Sequence, residues 1–179
     1  MGYQCGYKTP DGFSDLVMRS DGAVLTGLWF EKTRDERKHP AEREEKGLEI
    51  FRQTRDWLDL YFGGGIPDFT PEYRLENATD FRREVSELMH QIPYGEVVTY
   101  GSIAEKIAEK NRIPKMSAQA IGGAVGWNPI CIIIPCHRVV GSNHSLTGYG
   151  GGIHNKISLL KLEGINMDGY FVPKKGSAL

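Results

Sequence analysis

The spacing of apolar positions changes character along this chain. In "DLVMRSDGAVLTGLWF" (15–30), two short apolar runs flank Ser20-Asp21-Gly22. Asp-Gly between such runs predicts a β-hairpin. The charged stretch "EKTRDERKHPAEREEKG" (31–47) contains Pro40 and reads as a solvated loop passing into a helix. From Ala41 to Phe62, the residues Leu48, Phe51, Trp57, Leu58, Tyr61 and Phe62 recur at helical spacing, and Gly63-Gly64-Gly65 stops that helix. "IPDFTPEYRLENA" (66–78) has two prolines and no period, which makes it a linker with a domain boundary near residues 75–79.

The second part predicts short helices. "TDFRREVSELMHQI" (79–92) puts Phe81, Val85, Leu88 and Met89 on one face, with Thr79 or Asp80 as N-cap. "TYGSIAEKIAEK" (99–110) turns Ile103, Ala104 and Ile107 inward, "NRIPK" breaks it, and "MSAQAIGGAVGW" (116–127) is a second helix rich in Ala and Gly. Two short helices in succession suggest a helix-turn-helix, although the connector exceeds the usual tight turn. "ICIIIP" (130–135) reads as a buried strand ended by Pro135, "GSNHSLTGYGGG" (141–152) as a glycine-rich loop, and "HNKISLLKLEG" (154–164) as the last helix, capped by Gly164. The tail from residue 165, ending in "VPKKGSAL", reads as loose. The fold class that follows is α+β, with a division into residues 1–78 and 79–179.

Composition adds a charge asymmetry. Residues 1–78 hold 11 Lys/Arg against 15 Asp/Glu, a net of −4; residues 79–179 hold 11 against 8, a net of +3. No carboxylate occurs between residues 110 and 162, a stretch that carries Lys110, Arg112, Lys115, Arg138, Lys156 and Lys161. Such a surface suits a polyanionic partner, and a glycine-rich region poor in acids by chance is the equal alternative. No apolar run is long enough to cross a bilayer, and the first residues lack a signal-peptide pattern. Three cysteines, Cys5, Cys131 and Cys136, form no disulfide framework, which points to a reducing compartment: cytoplasm or nucleoid.

The candidate chemistry centres on "IIIPCHRVVG" (132–141). A cysteine in an aliphatic run is most often a packed core thiol. Cys136 is followed by His137 and Arg138, neighbours that favour a lowered thiol pKa. Cys131, Cys136, His137 and His144 lack the paired spacing of structural zinc sites, so no metal is expected. Glu163 is the first carboxylate after Glu109. On the last turn of an apolar helix it reads equally as a solvated side chain or as a partner that orients a histidine. Asn128, before Pro129, reads as a plain turn or as a buried hinge whose amide ties two segments. The small residues of "SAQAIGGAVG" cost helix stability, about 1 kcal/mol per interior Gly. They suit close approach either to another helix or to a nucleic-acid groove.

Taken together, "IPYGEVVTYGSIA" (92–104), "AIGGAVGWNP" (120–129), "IIIPCHRVVGSN" (132–143), "LTGYGGG" (146–152) and "KISLLKLEG" (156–164) resemble the O6-alkylguanine-DNA alkyltransferases, also called methylated-DNA–protein-cysteine methyltransferases. "DGAVLTGLWF" and "WLDLYFGG" resemble the family's first domain. The resemblance implies a ribonuclease H-like N-terminal unit and a winged-helix-like C-terminal unit. It implies irreversible, single-turnover transfer of the alkyl group of O6-alkylguanine, and of O4-alkylthymine, from DNA to Cys136 after base flipping from the minor-groove side. His137 would deprotonate Cys136 through a water, Glu163 would orient His137, Asn128 would be the hinge, and Tyr100 would help rotate the nucleotide and protonate the leaving guanine.

By the same resemblance, Thr99, Tyr100, Lys115, Gln119, Ala120, Gly123, Arg138 and Ser142 would meet DNA. Arg138 would also help to hold the motif. Pro135, Tyr149, Gly150 and, at the rim, Lys156 would line the base pocket. No cofactor is implied; the partner is double-stranded DNA with alkylated bases, and the protein is expected to be a monomer. The family often has arginine where this chain has Gln119, which can hydrogen-bond to an orphaned cytosine but carries no charge. Two other functions stay open on the residues alone: a protein that binds alkylated DNA without repairing it, and a thiol hydrolase built on Cys136, His137 and Glu163.

Overall fold

The computed structural model describes residues 2–38, 43–44 and 47–173 of the 179-residue chain. Pro40, Ala41 and the last residues of "VPKKGSAL", all included in the readings above, lie outside the described residues.

The predicted hairpin forms. Strands β2 (Leu16–Ser20) and β3 (Leu25–Phe30) pair antiparallel with Met18 opposite Leu28, and β2 also pairs antiparallel with β1 (Tyr3–Tyr7), with Cys5 opposite Met18. The Asp21 carboxylate accepts from the amides of Ala23 and Val24, and Gly22 adopts φ 109°, so the turn chemistry that marked the hairpin in sequence also closes it. A two-residue strand, β4 (Arg43–Glu44), pairs parallel with β1 and completes a sheet of order β3-β2-β1-β4. These two residues fall inside the range 41–62 read as helical. The free edge of β1 at Tyr3 and Gln4 offers them ladder hydrogen bonds, and the helix begins only afterwards.

That helix, α1 (Glu49–Phe62), buries Ile50, Phe51, Thr54, Trp57, Leu58, Tyr61 and Phe62, the stripe expected of a helix lying on a sheet. It ends at Gly63, and Gly64 adopts φ 81°. The linker returns to the sheet: Leu25 and Arg74 exchange backbone hydrogen bonds with Glu72 and Leu25 respectively.

Beyond the linker, α2 (Asp80–His90) is capped by Thr79, whose hydroxyl accepts from the Arg82 amide. Next come β5 (Val98–Thr99), α3 (Tyr100–Lys110) with a Thr99/Ser102 capping box, and α4 (Ala118–Val125) capped by Ser117. Strand β6 (Val139–Val140) pairs parallel with β5, and α5 (Ile153–Leu162) closes the chain, with Gly164 at φ 79°. The β5–β6 pair matters for the site. It sets Tyr100, one residue past β5, beside the segment that leads into β6.

The strand expected at 130–135 is absent. Ile130 makes a single bridge to Leu28, and residues 131–134 form a turn in which Ile132 adopts φ 68°. A continuous apolar run fits any fully buried segment, so the pattern reported burial and not extension. The carbonyls a ladder would have used are taken otherwise: Asn128 Nδ2 donates to Ile134 O (2.8 Å) and Ile130 O (3.3 Å). A β-branched residue in the left-handed region costs energy that the surrounding packing must offset, and such strain gathers at functional sites.

Candidate functional site

Cys136, His137 and Arg138 form one 3-10 turn after Pro135, all three buried. The turn solves the geometric difficulty of neighbours on a strand. On such a turn, successive side chains are no longer forced to opposite faces as on a strand.

The Cys136 thiol is 7% exposed. The sequence suggested a lowered pKa. The structure reverses this: burial pushes it up to about 11, Asp35 adds to the rise, and a hydrogen bond from Asn128 and the charge of Lys156 oppose it. At neutral pH roughly one thiol in ten thousand is then ionised in the resting protein. Nucleophilic attack therefore needs a base. Labelling by a small electrophile such as iodoacetamide, read at the Cys136 peptide by mass spectrometry, is expected to be slow at pH 7. It should rise about tenfold per pH unit until near pH 11.

His137, the next residue, is the candidate base. It is fully buried, and burial holds its pKa below the usual value, with Arg138 and Lys156 pushing the same way and Glu163 opposing. It is thus neutral at pH 7. Its Nε2 faces Glu163 Oε1 at 2.7 Å, which places the proton there. Its Nδ1 has no hydrogen-bond partner among the described residues. That bare nitrogen belongs to the residue next to the thiol.

Glu163, the C-cap of α5, turns its carboxylate into the core. Arg138 grips both oxygens, Nε to Oε2 at 2.8 Å and Nη2 to Oε1 at 2.9 Å, and the Gly95 amide adds 3.2 Å to Oε2. Burial alone would raise the carboxyl pKa, but His137 and Arg138 hold it down at about 2. Arg138 also donates to Ile92 O at 2.6 Å and lies 5.8 Å over the Tyr94 ring. This corrects its place as a DNA contact: Arg138 is buried and its guanidinium is spent inside the protein.

Lys156 is corrected in the same way. It is not at a rim but fully buried, with Nζ donating to Val139 O (2.7 Å) and Thr147 O (3.3 Å); burial lowers its pKa to about 8. It lies 5.9 Å from the centroid of the Tyr149 ring, whose hydroxyl is buried and lacks a partner among the described residues. Gly150 passes so close to Asp35 that a Cβ there would lie 2.2 Å from Oδ1. Tyr100 Oη donates to Thr147 O at 3.3 Å, and burial raises its pKa to about 12, so it carries its proton at pH 7.

Around this buried centre lies an exposed face. Gln119, Ala120 and Gly123 of α4 are exposed, as are Lys115 in the connector and Ser142, while Ile121, Ala124 and Val125 face inward. A Cβ at Gly122 or Gly123 would meet nothing within 4 Å, so these glycines are not there to admit a neighbouring helix. Thr99 is half-buried, its hydroxyl engaged as the α3 cap.

Sequence reasoning missed Tyr61, Tyr94 and Asp35. The sequence marks Tyr61 only as one more core position of α1, and nothing in its spacing separates an aromatic core residue from one whose hydroxyl has a task.

Residues 80–165 match the family model described as 6-O-methylguanine DNA methyltransferase, DNA binding domain. A methylated-DNA–protein-cysteine methyltransferase of Haemophilus influenzae is 38% identical over 163 residues, covering 91% of this chain and 87% of the relative. One of Methanosarcina acetivorans is 46% identical over 162 residues, covering 90% and 98%. Among solved structures, Mycobacterium tuberculosis O6-methylguanine methyltransferase superposes with TM-score 0.75 at 39% identity, covering 91% of this chain and 93% of that one. The crystal structure of Mycobacterium tuberculosis OGT in complex with DNA superposes with TM-score 0.75 at 36% identity, covering 90% and 92%.

Proposed function

This chain belongs to the methylated-DNA–protein-cysteine methyltransferases, a family of suicide DNA-repair alkyltransferases, and on that premise we propose that Cys136 is its acceptor and His137, Glu163, Asn128 and Tyr100 its machinery. The observation that carries the assignment is the division of labour on His137. Nε2 is committed to Glu163, and Nδ1, on the residue that directly follows Cys136, has no hydrogen-bond partner among the described residues.

The steps follow from these groups. His137 Nδ1 takes the Cys136 proton, through a water, and the imidazolium is stabilised by the Glu163 carboxylate. The thiolate sulfur attacks the alkyl carbon of O6-alkylguanine. A C–S bond forms, the C–O bond breaks, and the guanine takes up a proton from Tyr100 as it leaves. Tyr100 is then reprotonated from His137, so the net transfer is one alkyl group to sulfur and one proton to guanine. The same chemistry serves O4-alkylthymine. The product is a thioether that none of these residues can cleave, which accounts for one reaction per molecule.

The reactive carbon lies inside a duplex, so the nucleotide must be flipped, at a cost of a few kcal/mol. Gln119, Ala120 and Gly123 on α4, together with the exposed Lys115 and Ser142, are the residues we assign to the minor groove. Tyr149, Gly150 and Pro135 are assigned to the base pocket. The chain divides on this reading into a ribonuclease H-like unit, 1–78, and a winged-helix-like unit, 79–179. In support, the four-stranded sheet and α1 lie before residue 79, and α2–α5 lie after it.

The test is an intact mass spectrum after incubation with an oligonucleotide bearing O6-methylguanine. One added methyl group, mapped to Cys136, is expected. Binding without a mass change, or turnover of an ester substrate, would overturn the assignment. The DNA face makes a separate prediction. Gly123→Leu is expected to leave the protein as stable or slightly more so, by at most about 1 kcal/mol, because the site is open and leucine favours helix. It should weaken DNA binding by bulk alone, as read by fluorescence anisotropy beside a thermal melt.

A further inference from the structure

We infer that Tyr61 of α1 is a positioning residue for the His137–Glu163 pair, holding the carboxylate that holds the base. Its hydroxyl donates to Glu163 Oε1 at 2.5 Å, the same oxygen that accepts from His137 Nε2, and lies 3.4 Å from that nitrogen. The ring is 1% exposed, stacked on Trp57 at 5.4 Å and set edge-on to Tyr94 at 6.0 Å, so the hydroxyl has one direction available. Tyr61 lies outside the stretch matched by the DNA-binding-domain family model, 80–165. Through this hydroxyl the N-terminal part of the chain reaches the reactive centre, as it also does through the charge of Asp35.

The arrangement has two consequences. With Arg138 and the Gly95 amide, Tyr61 fixes the carboxylate plane, which fixes the imidazole and so the direction of Nδ1. By sharing Oε1, it also draws negative charge away from His137 Nε2. A carboxylate with fewer donors stabilises the imidazolium more, so loss of the phenol raises the histidine's pKa. The other charged or titratable groups facing this centre are Arg138 and Lys156, which lower the His137 pKa, together with Tyr94 from the α2–β5 turn and the Cys136 thiol.

This inference rests on the assignment of Cys136 as the acceptor, and the experiment keeps the two apart. Single-turnover methyl transfer from an O6-methylguanine oligonucleotide is followed from pH 5 to 9 for the wild type and for Tyr61→Phe, with DNA affinity measured in parallel. If the wild type gains no methyl group, the assignment of the acceptor fails. If it does, Tyr61→Phe is expected to transfer about tenfold more slowly with unchanged DNA affinity. The acid limb of its rate profile should move up by roughly one pH unit. Incorporating 3-fluorotyrosine at position 61 keeps the ring and makes a stronger donor, so that acid limb should move down. A wild-type rate and profile for both proteins overturns the inference, and so does a loss in Tyr61→Phe that is traced entirely to weaker DNA binding.

Discussion

Cys136→Ala is expected to abolish methyl transfer while leaving affinity for O6-methylguanine DNA within a few-fold of wild type. The sulfur is the only atom in the proposed sequence that forms a new bond to carbon, and no neighbouring side chain can replace it. Cys131, the nearest cysteine in sequence, is 3% exposed, and burial pushes its thiol far above the ordinary range. The DNA-facing residues of α4 are exposed whereas Cys136 is buried, and truncation of a residue that is only 7% exposed barely alters the surface. The check pairs an intact mass spectrum with a binding isotherm on the same DNA. A methyl group acquired by the variant at wild-type yield would move the acceptor elsewhere. A collapse in affinity would mean that the thiol orders the DNA-binding face itself.

The second large effect is on stability. Arg138→Ala strips Glu163 of two charge-assisted hydrogen bonds and leaves a buried carboxylate and the Ile92 carbonyl short of donors. Removing one partner of a buried ion pair costs about 3–5 kcal/mol. In a chain of this length that lowers Tm by on the order of 10 °C. Arg138→Met with Glu163→Gln in the same chain should recover much of the loss, because no unpaired charge then stays buried. The pH dependence has a definite sign. Glu163 is held at about 2 against an ordinary value of 4.5, so its contribution is complete above about pH 4.5 and is lost as pH falls toward 2. Thermal melts at pH 7 and pH 3 are therefore expected to differ less for the double variant than for the wild type. Equal melting temperatures for Arg138→Ala and wild type would show that the pair contributes nothing to folding.

Much of the fold could be read from the chain because local chemistry dictated it. Asp21-Gly22 closes the hairpin, Thr79 caps α2, Gly63-Gly64 ends α1, and the residues predicted to face inward on α3 are buried. The run 130–135 shows the limit. Its apolarity reported burial, but the choice between strand and turn lay with Asn128, whose amide claims the carbonyls of Ile130 and Ile134. The carboxylate-free stretch 110–162 fits a positive surface or a chance scarcity of acids equally in sequence, and two of its cations, Arg138 and Lys156, are buried.

The sequence by itself determined which residues have the chemistry: a thiol, an imidazole, a carboxylate, a phenol at Tyr100 and a small-residue helix. Their grouping in one family's motifs could be seen there too. Only the tertiary structure decided their electrical state. The thiol pKa is high because packing removes water from the sulfur, an effect that adjacency to His137 and Arg138 does not reveal. Tyr61 joins the relay because α1 lies against a turn 76 residues away in sequence, a distance that no local pattern encodes.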